Sequence, residues 1–520
     1  MQQAPLPSQS ETPSVKALLL VSILLPPVGL VLLWRRGDIE TGKKVFGSLG
    51  IVILSAAYVM LFFGPKLFVG DDPAEAHYAE LEQHRAMQHS APAPAQASAS
   101  SAEQDAATAN ANSDAGAATP APGEAAAAAP ARAARNYWTD FRGPARDGRY
   151  DEVGINTKWP SAGLPRLWDQ PIGGGYASFV AAEGRAFTIE QRRDQEVVAA
   201  YDVETGRELW THAYDAAFRE SMGGDGPRAT PTWNEGRVYS MGAQGDLRCL
   251  DAKSGKMIWA KNILSDNGAE NLQWGVSGSP LVVDDKVIVL PGGTSGKSVV
   301  AYNKLTGARV WSSLNDRSSY TSPMLVTLAG KRQVLVVTTS RIVGLTAESG
   351  SLLWELPWSV PNVANISQPI LVDGNRFIIS AGYGKGAAMA EVTQSGNSFS
   401  ARKVWETTMM KNKFNSSVIH NGYLYGLDEG ILTCLDVETG ERKWKGGRYG
   451  YGQLLLASGH LVVITEEGEL VLVRATPDKH DEIAKFEAIK GKTWNYPAIV
   501  GGRLLVRNQT EMACFDLSGR

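Results

Sequence analysis

The chain has 520 residues, and its 51 basic and 54 acidic side chains give a formal net charge of −3. Because basic and acidic residues are nearly equal in number, the net charge provides no overall attraction to nucleic acid or to anionic lipid. A chain of this length is too long to fold around one ordinary hydrophobic core. We therefore expect a membrane part, a linker and a large domain or repeat array.

Two uncharged apolar runs occupy residues 17–34 and 46–64. Each is about long enough to cross a bilayer core as a helix, so residues 1–70 are predicted to form a transmembrane hairpin. The loop between the runs, RRGDIETGKK, is basic, and basic loops stay in the cytoplasm. The rest of the chain is therefore expected on the periplasmic, extracytoplasmic side of a bacterial inner (cytoplasmic) membrane. A signal peptide followed by a buried helix is the alternative, although no A-x-A site precedes the basic loop.

Residues 71–135 are predicted to form a linker. Its first part, residues 71–90, is polar enough to form a short solvated helix and carries three of the seven histidines, at spacings that do not suggest a metal site. The Ala- and Pro-rich remainder contains no aromatic residue and no Leu, Ile or Val. Such a segment cannot bury a core, so it is predicted to be a disordered tether.

From residue 136 onward, short apolar runs alternate with Gly-, Asn- and Asp-rich turns, and one motif recurs. YDVETGRELW returns as LDAKSGKMIW, YNKLTGARVW, LTAESGSLLW and LDVETGERKW. With degenerate copies included, the closing aromatic positions are Trp168, Trp210, Trp259, Trp311, Trp354, Trp405, Trp444 and Phe486. Successive positions differ by 39 to 52 residues. A period of about 40–50 residues with strand-like content is typical of propeller blades.

Each unit reads as four antiparallel strands, the last of which begins at the aromatic residue. Eight aromatic positions predict eight units. Trp168 has no preceding motif, so the ring is expected to close by pairing its strand with the final strand near Cys514–Asp516. The predicted fold is all-β: an eight-bladed β-propeller over residues 136–520, preceded by the hairpin and the linker.

The motif itself has a local structural explanation, illustrated by LDVETGERKW. Asp436 is expected to cap amides of the turn, Thr439 to add a hydroxyl bond, and Gly440 to supply the positive φ that closes it. Trp444 is expected to pack between neighbouring sheets. Any chemistry must then lie in the loops that differ from blade to blade.

The three cysteines, Cys249, Cys434 and Cys514, lie in RCLD, TCLD and ACFD, at one repeat position. Equivalent positions in separate units do not meet, so three buried thiols and no disulfide are expected. No CxxC or CxxCH occurs, which argues against attached haem and most structural zinc sites.

The D-x-x-T/S-G-x-x-x-W repeats resemble the tryptophan-docking motifs of the pyrroloquinoline quinone (PQQ) dehydrogenase repeat family. WTDFRGPARDGRYDEVG, at residues 138–154, resembles the lead-in of bacterial PQQ-like repeat proteins related to the BamB outer-membrane assembly propeller. The resemblance covers residues 136–520 and implies the propeller fold.

For function, the resemblance implies an envelope-assembly or protein-interaction scaffold, with a protein partner in the cell envelope. A PQQ-dependent dehydrogenase of this family would instead imply Ca²⁺ or a lanthanide held by carboxylate and Asn, a catalytic Asp, and often a disulfide between adjacent cysteines. This chain lacks adjacent cysteines, so no catalytic residue, metal site or cofactor is expected. A quinoprotein oxidoreductase that uses PQQ with Ca²⁺ is the alternative, and a glycan- or peptide-binding sensor is a further one.

The loop that enters the first, innermost strand of each blade is expected to reach the mouth of a central funnel. The candidate partner- or ligand-binding residues in these loops are Tyr176, Arg219, Asp225, Arg228, Trp274, Tyr320, Asn365, Gln368, Asn415, Tyr451, Trp494 and Asn495. Such a rim suits an extended peptide, a glycan or an acidic small molecule. Alternatively, these groups satisfy loop backbone and channel water. In the loop 214–231, the charged residues could clamp a carboxylate or phosphate, or pair with one another.

Overall fold

The computed structural model describes residues 31, 33–37, 39–62, 73–90, 138–361 and 364–519. The chain divides into two compact units, Met1–His77 and Tyr78–Arg520. Most of the first predicted apolar run, and residues 91–135 of the predicted linker, lie outside the described residues.

The first unit contains helix α1, Thr41–Phe62. The indole nitrogen Nε1 of Trp34 donates a hydrogen bond to Oγ of Ser48 at 2.8 Å, and Leu33 and Ile51 are buried together. Within the described residues, none of the helices has both the length and the apolar character needed to cross a bilayer. The transmembrane hairpin therefore stays a prediction.

The second unit contains eight sheets, numbered here as blades 1 to 8 by the chain order of their first strands. The strands of blades 1 to 4 are Val180–Ala182, Arg185–Arg192, Gln195–Asp202 and Glu208–Asp215; Thr232–Asn234, Arg237–Met241, Asp246–Asp251 and Met257–Asn262; Leu281–Val283, Lys286–Val289, Val299–Asn303 and Arg309–Ser313; and Met324–Leu328, Lys331–Val337, Arg341–Leu345 and Leu352–Pro357. Those of blades 5 to 8 are Ile370–Leu371, Arg376–Ala381, Gly386–Ser395 and Ser398–Thr407; Val418–His420, Tyr423–Asp428, Ile431–Asp436 and Arg442–Arg448; Gln453–Ala457, His460–Ile464, Glu469–Arg474 and Glu482–Glu487; and Ala498–Val500, Arg503–Arg507, Glu511–Asp516 and Arg166–Pro171. The unit also contains most of helix α2, Pro73–Ser90, and the short helix α3, Ile263–Asn267.

The prediction of eight four-stranded antiparallel blades is confirmed. One addition is the short strand Arg149–Tyr150, which pairs in parallel with the first strand of blade 7. The middle strands of each blade are apolar on both faces because each sheet packs between two neighbours. The fourth strands alternate between exposed and partly buried residues, since they lie at the outer edge.

Ring closure also follows the prediction. Strand Arg166–Pro171 pairs antiparallel with strand Glu511–Asp516, and Trp168 lies opposite Cys514. Cys249 and Cys434 lie opposite the corresponding tryptophans of blades 2 and 6. All three thiols are buried and free, as expected from their shared repeat position.

The repeated tryptophan docks on the turn of the next blade. Nε1 of Trp168 donates to the carbonyl oxygen of Val203 in blade 1 at 2.9 Å. Its ring covers Gly206, where an added Cβ would approach the ring to 2.6 Å. Equivalent indole-to-carbonyl bonds are Trp210–Ala252, Trp259–Lys304, Trp311–Ala347, Trp405–Val437 and Trp444–Thr476. These bonds lock six of the eight blades to the next blade in the ring, as predicted for Trp444.

The turn chemistry also matches the prediction. Oδ1 of Asp436 accepts hydrogen bonds from the amides of Glu438 at 2.9 Å and Thr439 at 3.0 Å. The hydroxyl of Thr439 accepts from the amide of Glu441 at 3.2 Å, and Gly440 has φ +70°. The short side chains of the motif are thus used within the turn.

Trp354 departs from the pattern. Its Nε1 donates to Oε1 of Gln333 in its own blade at 2.6 Å. The next blade has no D-x-x-T-G turn, because its third and fourth strands, Gly386–Ser395 and Ser398–Thr407, are long and meet in a tight hairpin. With no turn of the usual kind to accept it, the indole bonds to a buried glutamine instead.

Residues 138–150, named here the plug, occupy the centre of the ring. Nη2 of Arg142 donates to the carbonyl oxygen of Ser417 at the start of blade 6 at 2.8 Å. Nη1 of Arg146 donates to the carbonyl oxygen of Pro323 at the start of blade 4 at 2.9 Å. Both guanidinium groups are buried, and burial lowers the pKa of each. The plug therefore joins the inner ends of blades 4 and 6.

Candidate functional site

A cavity of about 470 Å³ opens at the centre of the ring. This funnel cavity is lined by Phe141, Tyr176, Met222, Gly223, Arg228, Trp274, Ser277, Tyr320, Ile366, Tyr383, Lys413, Phe414, Ser416, Tyr451, Glu466, Trp494 and Tyr496. All eight blades contribute through the loops beside their inner strands, and Phe141 comes from the plug. Nine of these 17 residues are aromatic, so the wall offers stacking surfaces more than hydrogen-bonding groups.

The aromatic rings form packed groups. Trp494 stacks on Tyr176, with centroids 5.4 Å apart, and contacts Phe414 at 4.6 Å. Trp274 and Tyr320 form a second pair with centroids 5.8 Å apart. Rings from different blades thus support one another, which gives the wall a fixed shape.

The plug provides an edge-to-face contact at the cavity. The ring of Phe141 meets that of Tyr496 at 90°, with centroids 5.1 Å apart. Behind them, Arg142 lies over the Tyr496 ring at 5.4 Å. The plug therefore forms part of the inner wall of the cavity.

Three cations lie against the aromatic rings of the cavity. Nζ of Lys413 is 4.5 Å from the Tyr451 ring centroid, and Nζ of Lys492, beside the cavity, is 4.3 Å from that of Trp494. The guanidinium of Arg228 donates to the carbonyl oxygens of Gly224 and Gly226, and burial lowers its pKa to about 10. In the described part of the chain, none of the three cations has a carboxylate within ion-pairing distance.

Glu466 is the one acidic residue among the lining residues. Its Oε1 accepts from Nε1 of Trp494 at 2.9 Å, and its Oε2 accepts from the amide of Tyr451 at 3.1 Å. Both oxygens are therefore engaged by protein donors. The cavity carries an excess of positive charge, which attracts anionic groups.

Two partly buried tyrosines of the wall are neutral. Burial raises the pKa of Tyr320 and of Tyr383. The hydroxyl of Tyr320 accepts a hydrogen bond from the amide of Trp274 at 3.2 Å. These phenols add polar contacts without adding charge.

Half of the predicted rim residues line the cavity: Tyr176, Arg228, Trp274, Tyr320, Tyr451 and Trp494. The other charged candidates lie elsewhere. Arg219 is exposed and pairs with Asp194 at 2.9 Å, while Oδ1 of Asp225 accepts from the backbone amide of Glu220 at 3.0 Å. The charged residues of the loop 214–231 therefore do not form one clamp.

The four amide candidates, Asn365, Gln368, Asn415 and Asn495, are buried and bond to neighbouring groups of the protein. Oε1 of Gln368 accepts from the amide of Ser322 in blade 4 at 2.6 Å. Nδ2 of Asn495 donates to the carbonyl oxygen of Ala177 beside blade 1 at 2.9 Å. These contacts join the inner ends of adjacent blades, where the amides satisfy loop backbone.

The candidate list from the sequence omitted Phe141, Tyr383, Phe414, Glu466 and Tyr496. Tyr383 and Glu466 follow the second strand of their blades, in loops that the repeat pattern does not place at the rim. Phe414 and Tyr496 lie in loops before the first strands, next to the predicted Asn415 and Asn495. The signal for Phe141 was the lead-in WTDFRGPARDGRY.

Among its lining residues, the cavity offers one carboxylate, that of Glu466, to a calcium ion. Ca²⁺ needs several oxygen ligands that converge on one point. Across the described ranges, no three His, Cys, Asp or Glu side chains form a group that could hold a metal ion. Glu466, the carboxylate of the cavity, already accepts from Trp494 and Tyr451.

Comparison with known proteins gives two kinds of relative. The family model described as outer membrane protein assembly factor BamB matches residues 193–446. The outer membrane protein assembly factor BamB of Moranella endobia is 23% identical over 258 residues, which cover 47% of this chain and 64% of that protein, less than two thirds of its length.

Solved structures agree on the fold. The crystal structure of BamB from Moraxella catarrhalis matches 69% of this chain and 98% of its own, with a TM-score of 0.51 at 15% identity. The quinohemoprotein alcohol dehydrogenase ADHIIG of Pseudomonas putida HK5 matches 74% of this chain and 81% of its own, with a TM-score of 0.54 at 14% identity. Identities this low relate the folds alone.

Proposed function

The chain is a β-propeller of the PQQ-like repeat family, and from that premise we propose that it is a protein-interaction scaffold of the bacterial envelope. The proposal places the propeller on the periplasmic side of the inner membrane, with the apolar runs 17–34 and 46–64 as its tether. The similarity to proteins named outer membrane protein assembly factor supports an envelope partner.

The observation that carries the proposal is the funnel cavity. It is open, aromatic and cationic, and it draws on loops of every blade. Aromatic residues and Arg are the side chains most enriched at the energetic centres of protein interfaces. A rigid ring with a concave, apolar centre suits the capture of a projecting part of another protein.

Photo-crosslinking in native membranes tests this function. A photoreactive amino acid replaces Tyr383, which lines the cavity and is 39% exposed, in the full-length chain. The expected result is a reproducible crosslinked polypeptide. Met257, on the outer strand of blade 2 and 47% exposed, is the matched control position and is expected to give none. Absence of a crosslink at Tyr383, together with alcohol turnover by chain supplied with PQQ and Ca²⁺, would overturn the proposal.

The tether has its own test. A reporter enzyme that is active only outside the cytoplasm, fused after residue 70, is expected to be active. A reporter that works only in the cytoplasm is expected to be inactive at the same position. The reverse pair of results would contradict the proposed topology.

The second candidate is a PQQ-dependent oxidoreductase. The observation that favours it is the combination of aromatic walls with Arg228, Lys413 and Lys492, which suits a planar polycarboxylate. A calcium ion beside the cofactor would find one carboxylate, that of Glu466, among the lining residues of the cavity. Calorimetric titration of the purified chain with PQQ and Ca²⁺ decides between the two, because the scaffold proposal expects no saturable binding.

A further inference from the structure

We propose that the funnel cavity binds an aromatic side chain presented by an acidic, extended polypeptide segment. This inference rests on the proposed scaffold function and specifies the chemistry of the partner segment that enters the site.

The size of the cavity decides what kind of group enters. Its volume of about 470 Å³ lies within the range of about 300–1,000 Å³ that is typical of pockets for small groups. Phe141 of the plug meets Tyr496 edge to face at the cavity, and Arg142 lies over the Tyr496 ring. The cavity therefore accepts a side chain from a segment that lies across its mouth.

The wall selects an aromatic side chain. Trp494 enters from the loop before blade 8 and Trp274 from the loop before blade 3, and each is held by a neighbouring ring. Aromatic pairs in offset or tilted geometry contribute about 0.5–1.5 kcal/mol beyond burial. Because the rings are already positioned by their own packing, a guest ring would lose little binding energy to reorganisation.

The charges select acidic flanks. Lys413 and Lys492 hold their ammonium groups on aromatic faces, and Arg228 bonds only to backbone carbonyls in the described structure. The carboxylate of Glu466 accepts from the Trp494 indole and a backbone amide, and it offsets one of these three positive charges. Carboxylates on either side of the guest ring would provide the missing counter-charges through charge-assisted hydrogen bonds.

Calorimetry on the full-length protein in detergent tests the proposal with three peptides of equal length. The first has a central phenylalanine flanked by glutamates, the second has the same phenylalanine flanked by lysines, and the third has alanine between glutamates. Saturable binding is expected for the first peptide alone. Lys413→Gln is expected to weaken it roughly tenfold. Lys331→Gln, the same change at an exposed position at the start of the second strand of blade 4, is expected to leave binding unchanged.

Three results would overturn the proposal: equal binding of the lysine-flanked peptide, equal binding of the alanine peptide, or no effect of Lys413→Gln. Competition by PQQ at a far lower concentration would assign the cavity to that compound instead. The crosslink at Tyr383 separates the two levels of inference. A retained crosslink without acidic-peptide binding leaves the scaffold function intact and refutes only the chemistry, whereas loss of both refutes both.

Discussion

Gly206 meets two structural requirements at once, and these two requirements explain why the repeat motif has glycine at this position. Its φ of +69° lies in the left-handed region, and its missing Cβ leaves room for the Trp168 ring of the preceding blade. The backbone requirement belongs to the turn, whereas the space requirement belongs to the contact between blades. Substitution of Gly206 by alanine tests both requirements. A glycine that has a positive φ but no side chain packed against it is the control.

Gly206→Ala is expected to destabilise the propeller more than Gly236→Ala. Gly236 has φ +73°, but an added Cβ there meets no atom within 4 Å. Both changes incur the left-handed backbone cost of about 1–2 kcal/mol, and Gly206→Ala adds an overpacking cost of about 1–3 kcal/mol. Thermal unfolding of the two variants measures the difference. Equal melting temperatures would show that the Trp168 ring can move aside without a loss of stability.

Asp316 makes stability depend on pH. Burial alone would raise the pKa of its carboxyl, but the bidentate contact with Arg341, at 2.9 Å to Nε and 2.7 Å to Nη2, outweighs burial and lowers it. A depressed folded pKa stabilises the protein above the ordinary Asp value of about 3.9, and this stabilisation is lost as the pH falls through the folded value.

Asp316→Asn is therefore expected to lower the free energy of unfolding by about 1.5–3 kcal/mol at pH 6, and by progressively less as the pH falls below about 4. Melting temperatures of both proteins between pH 6 and pH 3 measure the trend. Asp194→Asn, which breaks the exposed pair with Arg219, provides the comparison and is expected to change stability by under about 1 kcal/mol. A gap that widens toward acid pH would contradict the assignment.

At the level of elements, helix α2 shows what a sequence pattern leaves undecided. The polar segment 71–90 predicts only a solvated helix. In the structure, Leu81 is buried, and Nε of Arg85 lies 3.3 Å from Oε2 of Glu208 in blade 1. Nη2 of Arg85 also donates to the carbonyl oxygen of Pro171, in the strand that closes the ring. The acidic partner stands more than a hundred residues away, so the helix alone does not reveal the docking.

Arg85→Ala is expected to release the part of α2 from Tyr78 onward. The change leaves Glu208 with Arg192 as its remaining cation, at a cost of about 1–3 kcal/mol. Hydrogen exchange of the amides in residues 78–90 is expected to accelerate, and Leu81→Ala is expected to act likewise. Met87→Ala changes a side chain that is 55% exposed on the same helix and is expected to preserve protection. Unchanged exchange in Arg85→Ala would show that the ion pair does not hold the helix.

The difference between local sequence patterns and long-range packing explains which parts of the site could be predicted from the sequence. The blades follow from local turn chemistry, as at Asp436 and Gly440, and the loops before the inner strands follow from the blades. Glu466 and Tyr383 come from other loops, whose distance from the centre depends on how each blade is tilted. Phe141 reaches the cavity only because Arg142 and Arg146 find carbonyl partners in distant blades. Packing between blades determines the positions of these residues, and this packing cannot be read from the sequence of one blade.

At the level of the whole molecule, the ring depends on its last strand. Strand Glu511–Asp516 pairs with both Arg503–Arg507 and Arg166–Pro171. Removal of residues 511–520 from the full chain is expected to lower the melting temperature by about 10 °C or more, because blade 8 loses its middle strand and the ring opens. Removal of residues 519–520 alone is the control and is expected to have little effect. A cooperative melt at the original temperature after the larger deletion would show that an open ring is self-sufficient.

Ring closure also determines the order in which parts of the propeller can fold. Arg507 and Gly173 are 334 residues apart in the chain and yet bonded, so the outer strand of blade 8 is made early and finds its partner last. Until then, it presents an unpaired edge of the kind that templates association with other chains. Slow, non-local closure makes this waiting period an inherent stage of assembly. A chain of this design needs its surroundings to keep that edge apart from others until the final residues arrive.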